Sequence, residues 1–112
     1  MVAAIEYLDE AHSPSREEVD RSPGRVVLEF GAPWCGICRA LASRVTALLE
    51  RHPHVRHIKV EDGPGQPLGR SFGVRLWPNL VFLRDGAVVR QLARPTHDEL
   101  EEAFAALLAD GP

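Results

Sequence analysis

Long apolar runs are missing from this chain. No stretch approaches the roughly 18–20 consecutive apolar residues that a membrane-spanning helix needs, so no spanning helix is expected. Runs of basic residues are missing as well. With a net charge of −3, neither nucleic acid nor an anionic membrane is an expected partner. The opening residues, Met1 to Glu10, carry no basic cluster and turn acidic at once, unlike a secretory signal, which points to the cytoplasm. Lysine is nearly absent. Apart from Lys59, every basic residue is an arginine, which reads as genome composition rather than function. Cysteine is scarce too: there are two, and in a reducing compartment such a pair is more often catalytic than structural. No repeat, low-complexity tract or linker divides the 112 residues, so residues 1–112 are expected to form one domain around one core.

Both cysteines fall in one stretch, Phe30-Gly31-Ala32-Pro33-Trp34-Cys35-Gly36-Ile37-Cys38-Arg39. Before it, Val26-Val27-Leu28 reads as a buried strand. After it, Leu41, Val45, Leu48 and Leu49 recur at helical spacing. The pair therefore marks a strand-to-helix junction, with Cys35 at the helix N-terminus. Unpaired N–H groups and the helix dipole favour negative charge there, hence a thiolate over a thiol. Cys38 lies one turn on, close enough to close a small disulfide ring. An activated sulfur with a resolving partner behind it is the minimum apparatus for thiol–disulfide exchange.

The rest of the chain alternates. Ala3 to Leu8 fits a short edge strand. Ser15 with Glu18 forms a capping box for a short helix reaching about Arg21, where Ser22-Pro23-Gly24 breaks it. A central strand over Arg25 to Phe30 leads to a long helix running to about Arg51. Val55 to Val60 reads as a strand, and Pro67 to Phe72 as a short helix ending at Gly73. Asp85-Gly86 between two apolar runs signals a hairpin. Thr96 with Glu99 then opens a C-terminal helix whose apolar face is Leu100, Phe104, Leu107 and Leu108. The order β-α-β-α-β-α-β-β-α implies an α/β fold: a central mixed sheet with helices on both faces.

Leu28 to Cys38 resembles the active-site region of the thioredoxin family, and later motifs follow in that family's order. The resemblance implies the thioredoxin fold and a protein disulfide reductase, with Cys35 as nucleophile and Cys38 as resolving thiol. It implies that Trp34, Gly36, Ile37, Trp77 and Pro78 form the substrate surface. Trp34 would pack beside the disulfide, and the bland reading makes it a half-buried anchor. Pro78 in Gly73-Val74-Arg75-Leu76-Trp77-Pro78 looks like the family's cis-proline facing the disulfide. It would hold the backbone of Trp77 for pairing with an extended substrate strand. Glu29 matches a buried acid beneath the active site and would accept the Cys38 proton through a water. His57 matches the lysine that pairs with that acid and would tune it.

Several residues depart from the family pattern. Ile37 replaces the usual proline between the cysteines, and no histidine lies there, so no source of a strongly oxidising potential is evident. Gly31 replaces a second tryptophan, Asn79 follows Pro78 where threonine is common, and Arg94 brings a bulky cation to a glycine position. Cys35, Cys38, His52, His54 and His57 would suffice on paper for zinc, but they lie on a helix and a strand without a second cysteine knuckle. No metal or bound cofactor is expected. A non-catalytic binding or assembly factor is the other rival. The expected partners are disulfide-containing proteins and, from the resemblance, an NADPH-dependent thioredoxin reductase; a monomer is expected.

Overall fold

A computed structural model describes residues 6–109. The chain order is α1 (Arg16–Asp20), β1 (Arg25–Gly31), α2 (Gly36–Glu50), β2 (Arg56–Glu61), α3 (Pro67–Ser71), β3 (Asn79–Arg84), β4 (Ala87–Ala93) and α4 (His97–Leu108). The strands lie in the order β2-β1-β3-β4. Parallel pairing of β1 with β2 and antiparallel pairing of β1 with β3 and β3 with β4 make the sheet mixed.

Strand alternation divides the core in two. Val27, Leu80 and Phe82 face α2 and α4, meeting Leu41, Val45, Leu48, Leu100, Phe104 and Leu107. Val26, Leu28, Phe30, Val81 and Leu83 face the other way, onto Val19 and Leu68 of α1 and α3. Each such buried side chain contributes roughly 1.5–3 kcal/mol. β1 is therefore covered on both faces, which makes it a rigid rod pointing at the two cysteines.

The local punctuation follows the sequence. Both capping boxes form, at Ser15/Glu18 and Thr96/Glu99. Asp85 and Gly86 have φ of 50° and 81°, the left-handed pair that a tight hairpin turn requires. Arg25 and Arg84 donate to the last carbonyls of α4 at Ala106 and Leu107, where cations also complement the helix dipole.

Of the expected N-terminal strand, Ala3 to Ile5 lie outside the described residues. Leu8 forms an isolated parallel bridge to Val60 at the outer edge of β2. The amide of Leu8 donates to the Lys59 carbonyl (2.8 Å) and the amide of Glu61 donates to the Leu8 carbonyl (2.9 Å). This bridge brings the preceding residue, Tyr7, to the end of β1.

Candidate active site

Leaving β1, the backbone turns at Ala32–Cys35, where the Cys35 amide donates to the Ala32 carbonyl (3.0 Å). Cys35 is the N-cap of α2, with extended φ and ψ of −78° and 114°. Its sulfur takes the place of the capping oxygen and accepts the Cys38 amide at 3.2 Å. Negative charge on that sulfur thus faces a helix N-terminus and a directed N–H group. Both cysteines are free thiols; Cys35 is partly exposed and Cys38 buried, with 1% of its surface accessible.

The two sulfurs differ in electrostatics as well as in access. Burial, followed by its hydrogen bond to Cys35, pushes the Cys38 thiol up to about 11, against the opposing pull of the Ala32 backbone and Tyr7. Cys38 is thus held as a thiol at neutral pH.

Beneath the pair lies Glu29, which alternation places on the Val27 face of β1. It is 1% exposed, in a strand that is otherwise apolar from Val26 to Phe30. His57 pairs across the parallel ladder with Val27, and its Nε2 lies 2.8 Å from Glu29 Oε1. Glu29 and His57 thus meet behind the two cysteines.

The outer surface is aromatic. Trp34 is 70% exposed, so it is no half-buried anchor, and its ring meets that of Trp77 edge-on with centroids 5.4 Å apart. Trp77–Pro78 is a cis peptide bond, as the resemblance implies. Ile37 is 47% exposed, and a Cβ on Gly36 would meet nothing within 4 Å, so access to Cys35 is open on this side. Ile37, Leu41, Arg44, Pro78 and Arg94 line a shallow cleft of about 210 Å³. The structure thus brings Cys35, Cys38, Trp34, Gly36, Ile37, Trp77 and Pro78 to one end of the sheet, with Glu29 and His57 behind them.

The remaining histidines are engaged elsewhere. His52 stacks on Phe104 and meets His54 edge-on. Among the described residues, no three His, Cys, Asp or Glu side chains gather into a group able to hold a metal. Among the same residues, no helix is long and apolar enough to cross a membrane.

The sequence profile of the thioredoxin family matches residues 8–106, most of the chain. This chain belongs to the thioredoxin family. It is 27% identical to a thioredoxin H-type of Ricinus communis over 89% of this chain and 85% of that one. Against thioredoxin Asp f 28 of Aspergillus fumigatus it is 34% identical, covering 79% of this chain and 82% of the relative. Thioredoxin 2 from Pseudomonas aeruginosa PAO1 in its reduced form superposes with a TM-score of 0.81 at 47% identity. That match covers 94% of this chain and 96% of the other. The protein is a thiol–disulfide oxidoreductase of the thioredoxin fold, and Cys35 with Cys38 is its C-x-x-C dithiol.

Three contacts of this thioredoxin family member escaped the sequence. Asp62 accepts the Trp77 indole N–H at 2.8 Å, fixing the ring that Trp34 packs against. The Arg94 guanidinium donates through Nε to the Trp77 carbonyl at 2.8 Å, so its charge is turned onto the backbone beside Pro78. The third is Tyr7, whose hydroxyl shares with the Cys38 sulfur the space beside Gly31. The departure of Gly31 from the family pattern was the one available signal for it, since a missing side chain must be replaced by something.

Proposed function

We propose that the protein reduces disulfides in other proteins, with Cys35 as the attacking sulfur and Cys38 as the resolving one. The observation that supports this division of roles is the asymmetry of the pair. Cys35 is partly exposed and caps α2, whereas Cys38 is buried and held as a thiol. Cys35 attacks one sulfur of the substrate disulfide, forming a mixed disulfide and releasing the other half as a thiolate that takes up a proton. Cys38 then loses its proton and attacks the Cys35 sulfur. The Cys35–Cys38 bond forms, the bond to substrate breaks, and the second substrate sulfur leaves with the electron pair. Two electrons pass from the dithiol to the substrate.

Glu29, paired with His57, is the proposed acceptor of the Cys38 proton through an intervening water, and His57 tunes it. Trp34, Gly36, Ile37, Trp77 and Pro78 form the proposed docking surface, where an extended segment pairs with the Trp77 backbone. A dedicated NADPH-dependent flavoprotein reductase is the proposed electron donor. The protein is proposed to act as a cytoplasmic monomer, carrying electrons within the cell's thiol balance. The Arg94 guanidinium on the Trp77 carbonyl favours one rival, a binding or assembly factor that kept the fold.

Dithiothreitol-driven reduction of a disulfide-bonded model protein separates the two. A rate that collapses in Cys35→Ser supports catalysis; equal rates for wild type and variant support the binding role. A redox titration against glutathione gives the direction. A potential near about −270 mV supports reduction, and one near about −180 mV or higher moves the protein towards oxidation or isomerisation.

A further inference from the structure

Tyr7 is the single tyrosine, and the steps above leave it without a role although it stands against the resolving sulfur. The Leu8 bridge to β2 fastens its backbone beside the end of β1. Gly31, the last residue of β1, makes the room. A Cβ there would lie 2.7 Å from both the Tyr7 hydroxyl oxygen and Cys38 Sγ, so any side chain at this position would push into both. The hydroxyl and Sγ therefore close on the same point, and each shifts the other's ionisation, the phenol favouring the Cys38 thiolate. Lys59 Nζ sits 4.2 Å from the centroid of the Tyr7 ring, a cation–π contact that also holds the ring. Burial first, then the Glu29 carboxylate and the two cysteines, raise the phenol well above its ordinary value, so it keeps its proton across the neutral range.

We propose that Tyr7 is the hydrogen-bond donor that stabilises the Cys38 sulfur as it becomes anionic in the resolving step. This deepens the reading of Cys38 as the resolving thiol and rests on it. In that step the Cys38 proton goes to the acceptor beneath the site while the phenol retains its own. The charge gained by Sγ is met by a donor already held beside it, and it disperses as the Cys35–Cys38 bond forms and the substrate sulfur departs. A donor to an anionic sulfur is stronger than one to a neutral thiol, so Tyr7 lowers the barrier more than it stabilises the resting state. The charged and titratable groups around Cys38 and Tyr7 come from every neighbouring element. They are Cys35 at the start of α2, Glu29 on β1, Lys59 and Glu61 on β2, Arg39 on α2, and Glu6 beside Tyr7.

The test uses a chromogenic symmetric aromatic disulfide with the reduced full chain in stopped flow. Wild type should release one coloured thiolate when Cys35 attacks and a second when Cys38 resolves. That stoichiometry examines the dithiol chemistry by itself. Tyr7→Phe keeps the ring against Lys59 and removes only the hydroxyl. The second phase should slow about tenfold or more, its pH profile should move to higher pH, and the first phase should change by less than about twofold. Gly31→Ala drives the hydroxyl and Sγ apart and should reproduce the slow second phase. A second phase in Tyr7→Phe within about twofold of wild type, or an equal slowing of both phases, overturns the proposal while leaving the two-step reading intact.

Discussion

His57→Ala removes the side chain that meets the buried Glu29 at 2.8 Å. The Glu29 side chain is 2% exposed and that of His57 9%, so the pair is shielded from bulk solvent and the screening that weakens surface ion pairs does not apply. Removing one member of a buried pair costs about 3–5 kcal/mol, because the other is left desolvated without compensation. Domains of this size have total stabilities of about 5–15 kcal/mol, so the loss is a large fraction of the whole. At about 4 °C per kcal/mol, the midpoint of thermal unfolding should fall by on the order of 12–20 °C. Urea unfolding monitored by tryptophan fluorescence, run on wild type, His57→Ala and the double variant Glu29→Leu with His57→Leu, measures the effect directly. The double variant should regain most of the loss, because replacing both polar partners with apolar groups is close to neutral. Stable but slow in the resolving step, it would also separate the chemistry of Glu29 from its packing. A loss below about 1 kcal/mol in His57→Ala would refute the reasoning, since it would mean that bulk solvent fills the space of the imidazole and solvates Glu29 in its place.

Other outcomes follow from single contacts. Cys38→Ser should leave the first attack intact and trap substrates on Cys35. Mixed disulfides recovered from a lysate and released by dithiothreitol check this, and their absence would count against the assigned roles. Gly86→Ala should destabilise by about 1–3 kcal/mol in urea unfolding. The backbone there has φ of 81°, and a Cβ would run into the Asp20 carbonyl. Arg94→Ala frees the Trp77 carbonyl and removes a cation from the cleft beside Pro78. With peptide disulfides carrying acidic flanks, kcat/KM should fall by about two- to tenfold relative to neutral ones, and raised salt should erase the difference.

Much of the site was legible because its signals are local. A C-x-x-C between an apolar run and a helical repeat fixes a strand-to-helix junction, and Cys35 is indeed the N-cap of α2. Period-two alternation puts Glu29 on the Val27 face, where the structure buries it. Capping boxes and Asp85-Gly86 fixed the helix starts and the hairpin within a residue or so. Tyr7 and Asp62 were not legible as site residues, and Arg94, expected as a bulky cation at a glycine position of the family, was not legible as a partner of Trp77; the reason is physical. Each acts through a long-range contact: Tyr7 with Cys38, Asp62 with Trp77, and Arg94 with the Trp77 carbonyl. No periodicity or spacing encodes such a meeting. Gly31 shows the limit well. The sequence revealed an absent side chain, and only the fold shows that a tyrosine from the N-terminal segment occupies the space.

Two sulfurs a helical turn apart differ in reactivity, and competitive alkylation reads this directly. With Cys38 pushed up to about 11, its thiolate at pH 7 amounts to on the order of one part in ten thousand. Reduced protein treated with limiting iodoacetamide at pH 7 and mapped by mass spectrometry should carry the label on Cys35 almost alone, at a rate well above that of glutathione under the same conditions. Label shared between the two cysteines, or a Cys35 that reacts no faster than glutathione, would contradict it.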